Sequence, residues 1–170
     1  MATISKADPK DIKELNLLIN SAYRGESAKK GWTHEADILS GIRINEQELQ
    51  SLISKKNTSL LKYSENGNIT ACVLLEQQED ALYLGMLTVS PVLQGKGVGK
   101  TLLNYAEEYA RNMKCSKIKM TVISVRKELI EWYIRRGYAD TGQRIPFPGE
   151  GRFGIPNGPL EFIVLIKNIA

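Results

Sequence analysis

Apolar residues in the first third of the chain recur every three or four positions, which is the spacing of one helix face. The first such stretch runs to about Tyr23. It begins at Asp8-Pro9, where Asp is a common N-cap and proline suits the first helical position. A short strand over residues 3–6 is predicted before it, and a second helix around residues 49–53. The apolar face of the first helix consists of Ile12, Leu15, Leu18, Ile19 and Ala22.

Three runs with strand character follow the second helix. Residues 58–63 and 69–76 are rich in β-branched and apolar side chains, and they flank Asn66-Gly67, a favoured two-residue hairpin turn. A third run covers residues 81–89. The pattern predicts an antiparallel meander.

The second half of the chain alternates between helical and strand patterns. A helix precedes a strand over residues 117–123, so we expect this strand to pair in parallel with residues 81–89 through a right-handed crossover. Another helix is predicted to end near Gly137. Residues 142–158, which contain several prolines and glycines, are predicted to form a long ordered loop before a final strand at 160–166. The apolar stripe of the first of these helices consists of Val98, Leu102, Ala106, Tyr109 and Met113.

Composition narrows the class of protein. The chain has 170 residues, of which 42% are hydrophobic, so residues 1–170 are predicted to form one domain with its own core. The net charge of +4 without a basic run argues against nucleic acid or a membrane as a partner. With no candidate signal peptide or membrane span, we expect a cytoplasmic protein. Cys72 and Cys115 are predicted to be buried thiols rather than disulfide partners or metal ligands.

Three alternating glycines stand between the third strand of the meander and the next helix. Gly95, Gly97 and Gly99 allow several backbone N–H groups to turn toward one anion. The helix dipole adds to this attraction, and Lys96 and Lys100 add positive charge. The sequence therefore predicts a phosphate site.

Two common phosphate motifs fail on spacing. A P-loop requires glycine at the position of Gln94, and the strand that ends at Ser124 offers no Asp for magnesium. A dinucleotide fingerprint requires a third small residue where Lys100 stands, and an acidic residue about 20 positions later that is missing. ATP and NAD are therefore disfavoured as ligands.

The pattern Gln94-x-x-Gly97-x-Gly99, after a strand that ends in Leu87-Thr88-Val89, resembles the pyrophosphate motif of the GNAT superfamily of N-acyltransferases. The resemblance is close over residues 58–140. It implies acetyl-CoA as co-substrate and an α/β domain whose mixed, mostly antiparallel sheet splits at the acyl-CoA site and carries flanking helices. It also implies that the pantetheine arm bonds to backbone groups of the splayed strand. The implied cofactor-binding residues are Leu87, Thr88, Val89, Gln94, Gly95, Lys96, Gly97, Val98, Gly99 and Lys100.

A second segment supports the resemblance. Residues 132–138, Trp-Tyr-Ile-Arg-Arg-Gly-Tyr, are similar to the family's aromatic-Tyr-x-x-x-Gly-aromatic signature. In many members this Tyr donates a proton to the leaving thiolate, a role that would fall to Tyr133, since a neutral phenol can act as a general acid. Packing on the apolar face of its helix is the alternative role. The chain departs from the family at Arg126, where many members carry an Asn that contacts the cofactor.

The sequence identifies the base that accepts the proton of the acceptor amine less clearly than it identifies the general acid. An ammonium has no lone pair, so a base is expected. Many family members carry a carboxylate on the strand before the glycine loop, but residues 81–89 contain none. Glu76 and Glu26 are the candidate catalytic carboxylates, and Glu35, His34 or a bound water are alternatives.

The acceptor pocket is expected in the region where the family varies most. Residues 23–35 mix aromatic and charged side chains, and Tyr23, Arg24 and Trp32 are predicted to bind the acceptor from one side. Phe147, with Phe153, is predicted to form the opposite wall. Three arginines are further candidates for holding an acceptor carboxylate, namely Arg24, Arg43 and Arg144.

These features predict an enzyme that acetylates a primary amine by direct attack on acetyl-CoA. The acceptor is expected to be a small-molecule or peptide amine, and no metal is required. The assembly is expected to be a monomer or a homodimer. A non-catalytic acyl-CoA sensor, which would keep the glycine loop without turnover, is the alternative function.

Overall fold

The protein is built on one mixed sheet with helices on both faces. The computed structural model describes residues 2–148 and 154–170. The strands are β1 Ala2–Lys6, β2 Leu39–Ser40, β3 Thr58–Glu65, β4 Asn68–Gln78, β5 Ala81–Val89, β6 Lys117–Ile123, β7 Ala139–Pro146, β8 Ile155–Pro156 and β9 Glu161–Asn168. Seven strands form the sheet in the order β1-β3-β4-β5-β6-β9-β7, and β2 pairs separately with β8.

Five α-helices connect the strands in the described residues, and capping side chains precede two of them, of which the sequence predicts only Asp8. They are α1 Ile12–Tyr23, α2 Gly25–Ala28, α3 Glu46–Ser54, α4 Val98–Asn112 and α5 Lys127–Ile134. Asp8 caps a 3-10 turn over Pro9–Asp11 that leads into α1. Asn45 and Glu48 form a reciprocal capping box at the start of α3.

The sheet splits between β5 and β6, as the family resemblance implies. These two strands pair in parallel only from Ala81 opposite Lys117 to Tyr83 opposite Lys119. Beyond that point β5 remains paired with β4 alone. A bulge interrupts the β4–β5 register next to Met86, whose φ of 47° is unusual for a residue with a side chain. The second half of β5 is therefore an open edge inside the sheet.

Strand β4 is apolar on both faces because each face packs against helices. Alternate residues contribute to two cores, so that Val73 and Leu75 belong to the core beneath α4 and α5. Cys72 and Leu74 belong to the core beneath α1 and α3. This alternation explains the continuous apolar run in the middle of the meander. Burial also raises the pKa of the Cys72 thiol to about 12.

The predicted loop over residues 142–158 is wrong in its first part. Strand β7 runs to Pro146 and pairs antiparallel with β9, which lies between β6 and β7. Strand β7 is an edge strand whose residues are almost all exposed, so it lacks the apolar alternation that identifies a strand. Gly142, with a φ of 86°, lies where the β7–β9 register shifts. A short strand, β8, occupies part of the remaining segment.

Candidate active site

The glycine loop joins the end of β5 to the start of α4. Gly95 and Gly97 have φ angles of 84° and 86°, a region that side chains disfavour. A Cβ atom added at either residue would meet no other atom within 4 Å, so the space beside this backbone is open. Gly97 is also the N-cap of α4. The unpaired N–H groups and positive dipole end of α4 therefore begin at an open concave surface, which favours an anion.

Two cavities lie on either side of the end of β5. The first has a volume of about 280 Å³ and extends along the glycine loop and α5. The second has a volume of about 750 Å³ and lies between α1, α3, β5, β6 and residues 145–148. We call the residues that line both cavities the junction. They are Tyr23, Leu87, Arg126, Leu129 and Tyr133.

The residues predicted to bind the cofactor gather around the first cavity. All of them line it except Lys96, which is exposed, and Val98, which packs against the core. Gly99 lies against the wall of this cavity that Trp132 forms, since a Cβ atom at Gly99 would be 3.6 Å from the Trp132 ring. Arg136, which the sequence did not single out, also lines this cavity with its guanidinium carbon 3.9 Å from the centre of the Trp132 ring.

The open edge of β5 is reached by side chains rather than by a strand. The Leu87 carbonyl accepts a hydrogen bond of 3.1 Å from the Tyr23 hydroxyl. The Val89 carbonyl accepts one of 3.1 Å from the side-chain amide of Gln94. The carbonyls of Leu87 and Val89, which are predicted to meet the pantetheine arm, thus face hydrogen-bond donors from outside the sheet.

The Gln94 side chain also connects the glycine loop to the segment that follows α2. Its Oε1 atom lies 3.5 Å from the backbone nitrogen of Thr33. A Cβ atom added at Gly31 would collide with the Gln94 amide, so glycine at this position leaves room for that side chain where it lies. The glycine loop and this segment are thus packed together at the first cavity.

Tyr133 lies at the junction, on α5. Its ring makes edge contacts with Trp132 and Tyr138, at centroid distances of 5.1 and 5.7 Å. Only 4% of the residue is exposed, and this burial raises the pKa of the phenol well above its usual range. The hydroxyl therefore remains protonated at physiological pH and is suited to donate a proton or a hydrogen bond.

A buried ionic network closes the junction on the side of α1. Glu35 accepts two hydrogen bonds from Arg24 on Oε1, at 2.7 and 3.1 Å, and one from Arg126 on Oε2, at 3.0 Å. All three residues are buried. Arg126 also donates to the Thr33 hydroxyl at 2.7 Å. The sequence did not predict this network, because Glu35 and Arg126 are 91 positions apart and no local pattern links them.

Tyr23 is flanked by positive charge. The guanidinium carbons of Arg43 and Arg126 lie 5.5 and 5.9 Å from the centre of its ring. Tyr23 and Arg24, which the sequence predicts to bind the acceptor, both line the second cavity. Burial, the largest cause, raises the pKa of the Tyr23 phenol above its usual value.

The side chains predicted as candidate bases are placed less favourably for catalysis than Tyr133. Glu76 lines the second cavity, but its hydrogen bond to Lys55 lowers the pKa of this carboxyl, which weakens it as a base. The Glu26 side chain is 91% exposed, pairs with Lys29 and lines neither cavity. His34 accepts a hydrogen bond from the Ala36 backbone through Nδ1. The position of Glu26 therefore argues against a role for this residue as the base. Glu35, another candidate, is already bound by two arginines.

The predicted acceptor walls are only partly brought together. Phe147 lines the second cavity next to Phe162, with ring centroids 5.2 Å apart. Trp32 lines the first cavity instead, with its ring centroid 6.4 Å from that of Trp132, so it lies on the side of the glycine loop. Phe153 lies outside the described residues. Arg144 pairs with Asp140 on the exposed edge strand and lines neither cavity.

Other kinds of site find no support in the described part of the chain. No cluster of three or more His, Cys, Asp or Glu side chains in residues 2–148 and 154–170 could hold a metal ion. None of the helices in these ranges combines the length and the apolar character needed to cross a bilayer. The junction of the two cavities is therefore the principal candidate site.

Comparison with known proteins agrees with this geometry. The fold is similar to that of PaiA N-acetyltransferase from Thermoplasma acidophilum in complex with coenzyme A, with a TM-score of 0.77, 18% identity and 99% of each chain covered. It is also similar to the ribosomal-protein-S18-alanine N-acetyltransferase of Escherichia coli, with a TM-score of 0.75, 16% identity and coverage of 100% of this chain and 95% of that one.

Similarity in sequence is more limited in length. A 75-residue stretch, 44% of this chain, is 28% identical to the uncharacterized protein YdhI of Bacillus subtilis (strain 168), and it spans 46% of that protein. Residues 13–138 match the model of the acetyltransferase (GNAT) family. Because this match covers most of the chain and includes both the glycine loop and Tyr133, the protein belongs to the acetyltransferase (GNAT) family.

Proposed function

We propose that the protein transfers an acetyl group from acetyl-CoA to a primary amine. The observation that carries the proposal is the junction, where the cavity along the glycine loop meets a larger second cavity beside Tyr133. A transferase needs a donor site and an acceptor site that share one reacting centre. The family match and the fold similarity to acetyltransferases support the same activity.

The residues of the first cavity fit acetyl-CoA. Residues 94–100 would hold the pyrophosphate through backbone N–H groups and Lys100, and the open edge of β5 at Leu87 and Val89 would hold the amides of the pantetheine arm. When bound, acetyl-CoA supplies an acetyl group that is activated as a thioester. One similar structure, a putative acetyltransferase from Salmonella typhimurium with a TM-score of 0.70, contains acetyl-CoA.

Tyr133 would act as the general acid. Its position at the junction brings it to the meeting point of donor and acceptor, and its raised pKa keeps the proton on the phenol until the thiolate leaves. Protonation of the departing sulfur gives a neutral thiol, which is a much weaker nucleophile than the thiolate, so this donation favours transfer over return.

The chain provides no strong carboxylate base at the junction among its described residues. Glu35 is already bound by two arginines, and the hydrogen bond from Lys55 lowers the pKa of the Glu76 carboxyl. We propose that the amine loses its proton to water before it attacks. The rate would then follow the fraction of neutral amine in solution.

A non-catalytic acyl-CoA sensor is the second candidate. The pairing of Glu35 with Arg126 and of Glu76 with Lys55 favours it, because both carboxylates are already engaged. A sensor would bind acetyl-CoA and release no thiol in the presence of any amine. An enzyme would release thiol in proportion to the acetylated amine.

Calorimetry with acetyl-CoA, ATP and NAD tests the donor site. We expect acetyl-CoA to bind at least 10-fold more tightly than either nucleotide, because only acetyl-CoA can use both the loop and the open edge of β5. Tighter binding of ATP, without a response to acetyl-CoA, would refute the proposal. Thiol release over a panel of amines then separates the enzyme from the sensor.

A further inference from the structure

The first cavity contains positive charge that no carboxylate of its own lining neutralises. Lys100, Arg126 and Arg136 all line it, and no Asp or Glu among the described residues does so. Arg126 pairs with Glu35, but Lys100 and Arg136 form no ion pair with any residue that the structure describes. Lys100 is exposed to water, whereas Arg136 is half-buried. Arg136 is therefore the cation of this cavity that depends most on a counter-charge from a ligand.

Arg136 follows the end of α5 and is held in place by Trp132. Its guanidinium carbon lies 3.9 Å from the centre of the Trp132 ring, and its Nη1 atom donates a hydrogen bond of 2.9 Å to the Trp132 carbonyl. These two contacts orient the plane of the guanidinium. Burial, followed by the charge of the neighbouring Arg135, lowers the pKa of Arg136 below its usual value. The charge is thus partly withdrawn from water, and no carboxylate compensates for this among the described residues.

One edge of the Arg136 guanidinium has no hydrogen bond within the described part of the chain. The Nε atom is buried without a partner among these residues, whereas Nη1 is engaged by the Trp132 carbonyl. Nε and Nη2 share the other edge, where an arginine presents two parallel N–H groups. Two oxygens of one phosphate match the spacing of these groups. Arg136 is therefore suited to bind a phosphate group that enters the first cavity.

The chemistry of the donor identifies this phosphate. The glycine loop and Lys100 are already assigned to the pyrophosphate of acetyl-CoA, and its pantetheine arm, thioester and adenine are uncharged. The anionic group that remains is the phosphate monoester at the 3′ position of the ribose, with a charge of about −2 at neutral pH. The Trp132 ring lies beside both Gly99 and Arg136, so the position of Arg136 adjoins the proposed pyrophosphate site without being part of the loop.

We infer that Arg136 binds the 3′-phosphate of acetyl-CoA and gives the donor site a preference for CoA thioesters over donors that lack this group. The inference rests on the proposed acetyltransferase function and specifies the donor class. Arg136 is a binding residue in this role, because the 3′-phosphate takes no part in acetyl transfer. Its removal should therefore weaken the binding of one donor class and not of the other.

Two donors that differ in this one group test the inference. Acetyl-dephospho-CoA has the pyrophosphate, the pantetheine arm and the thioester of acetyl-CoA, but it lacks the 3′-phosphate. In calorimetry with the full chain, we expect acetyl-CoA to bind about 10- to 100-fold more tightly than acetyl-dephospho-CoA, as charged hydrogen bonds contribute to binding. Equal Kd values for the two donors would overturn the inference before any variant is made.

Substitution then identifies the residue. In Arg136→Gln we expect the Kd of acetyl-CoA to rise about 10-fold or more, and that of acetyl-dephospho-CoA to change by less than about 2-fold. Arg135→Gln is the matched control, because Arg135 is the adjacent arginine, is exposed and lines neither cavity. Both Kd values should be retained in this control. An unchanged Kd of acetyl-CoA in Arg136→Gln, or an equal loss of affinity for both donors, would overturn the assignment to the 3′-phosphate.

Different results would contradict the proposed function and the role of Arg136. If neither donor binds, or if no amine releases thiol from acetyl-CoA, the proposed acetyltransferase function is wrong. If amines are acetylated but the two donors bind equally well, only the role of Arg136 is wrong.

Discussion

At the scale of single residues, Tyr133 is the side chain on which catalysis depends most in this account. Tyr133→Phe removes the proton donor and keeps the buried ring and its edge contacts with Trp132 and Tyr138. We expect kcat to fall about 100-fold, as general-acid catalysis contributes, with the Kd of acetyl-CoA within about 2-fold of the original value. Steady-state kinetics and calorimetry measure the two quantities. An unchanged kcat would refute the assignment of the general acid.

The raised pKa of Tyr133 predicts the shape of the pH profile. A general acid works in its protonated form, which is present below its pKa, so a higher pKa moves the loss of activity to higher pH. The acceptor must be neutral, so the rate rises as the amine deprotonates. We expect kcat/KM to increase with pH and to show no falling limb below about pH 10, the usual range of a free phenol. A falling limb near neutral pH would point to another acid.

Residues differ in how far the sequence could predict them. Tyr133 and the glycines were found because short motifs of fixed spacing surround them. The network of Arg24, Glu35 and Arg126 was not, since its members meet only after three separate segments have folded. For Trp32 the residue type suggested a binding wall, but not which of the two cavities it would line.

At the scale of elements, the proposed role of the glycine loop and the start of α4 in binding phosphate can be tested separately from their effect on stability. Gly97 and Gly142 both have a φ of 86°, and an added Cβ would meet no atom within 4 Å at either position. Valine at each should therefore lower the free energy of unfolding by a similar amount, about 1–2 kcal/mol, through backbone strain.

Only one of these two variants should affect the donor site. Gly97→Val introduces a side chain at the N-cap of α4, and we expect the Kd of acetyl-CoA to rise at least 10-fold, since the loop N–H groups lose access to phosphate. Gly142→Val, on the edge strand β7, should leave the Kd unchanged. Calorimetry and chemical denaturation of the two variants provide the comparison. Equal Kd values would contradict the loop as phosphate site.

Helices and strands were predictable from the sequence where burial imposed a pattern of apolar residues. Strands β5 and β6 were predicted with their observed bounds because apolar residues fill most of β5 and alternate with polar ones along β6. Strand β7 was missed because it lies at the sheet edge, is exposed along its length and contains Gly142 at a shift in register. Pairing with β9, and not its own side chains, makes it a strand.

At the scale of the whole molecule, the split sheet creates the site. Three parallel residue pairs join β5 to β6. Beyond them the two strands diverge, and the sheet opens where α1, α5 and the glycine loop converge. The two cores on opposite faces fix the strands on both sides of the opening. The sequence indicated this split through its family resemblance, but the volumes and charges of the two cavities depend on long-range packing.

The most direct test of the account follows the acetyl group itself. The full chain is incubated with acetyl-CoA labelled in its acetyl group and with a mixture of amines, and both free thiol and labelled amine are measured. We predict that the label appears on an amine in a one-to-one ratio with released thiol, and that Tyr133→Phe slows both alike. Binding of acetyl-CoA without transfer of the label to any amine would contradict the account.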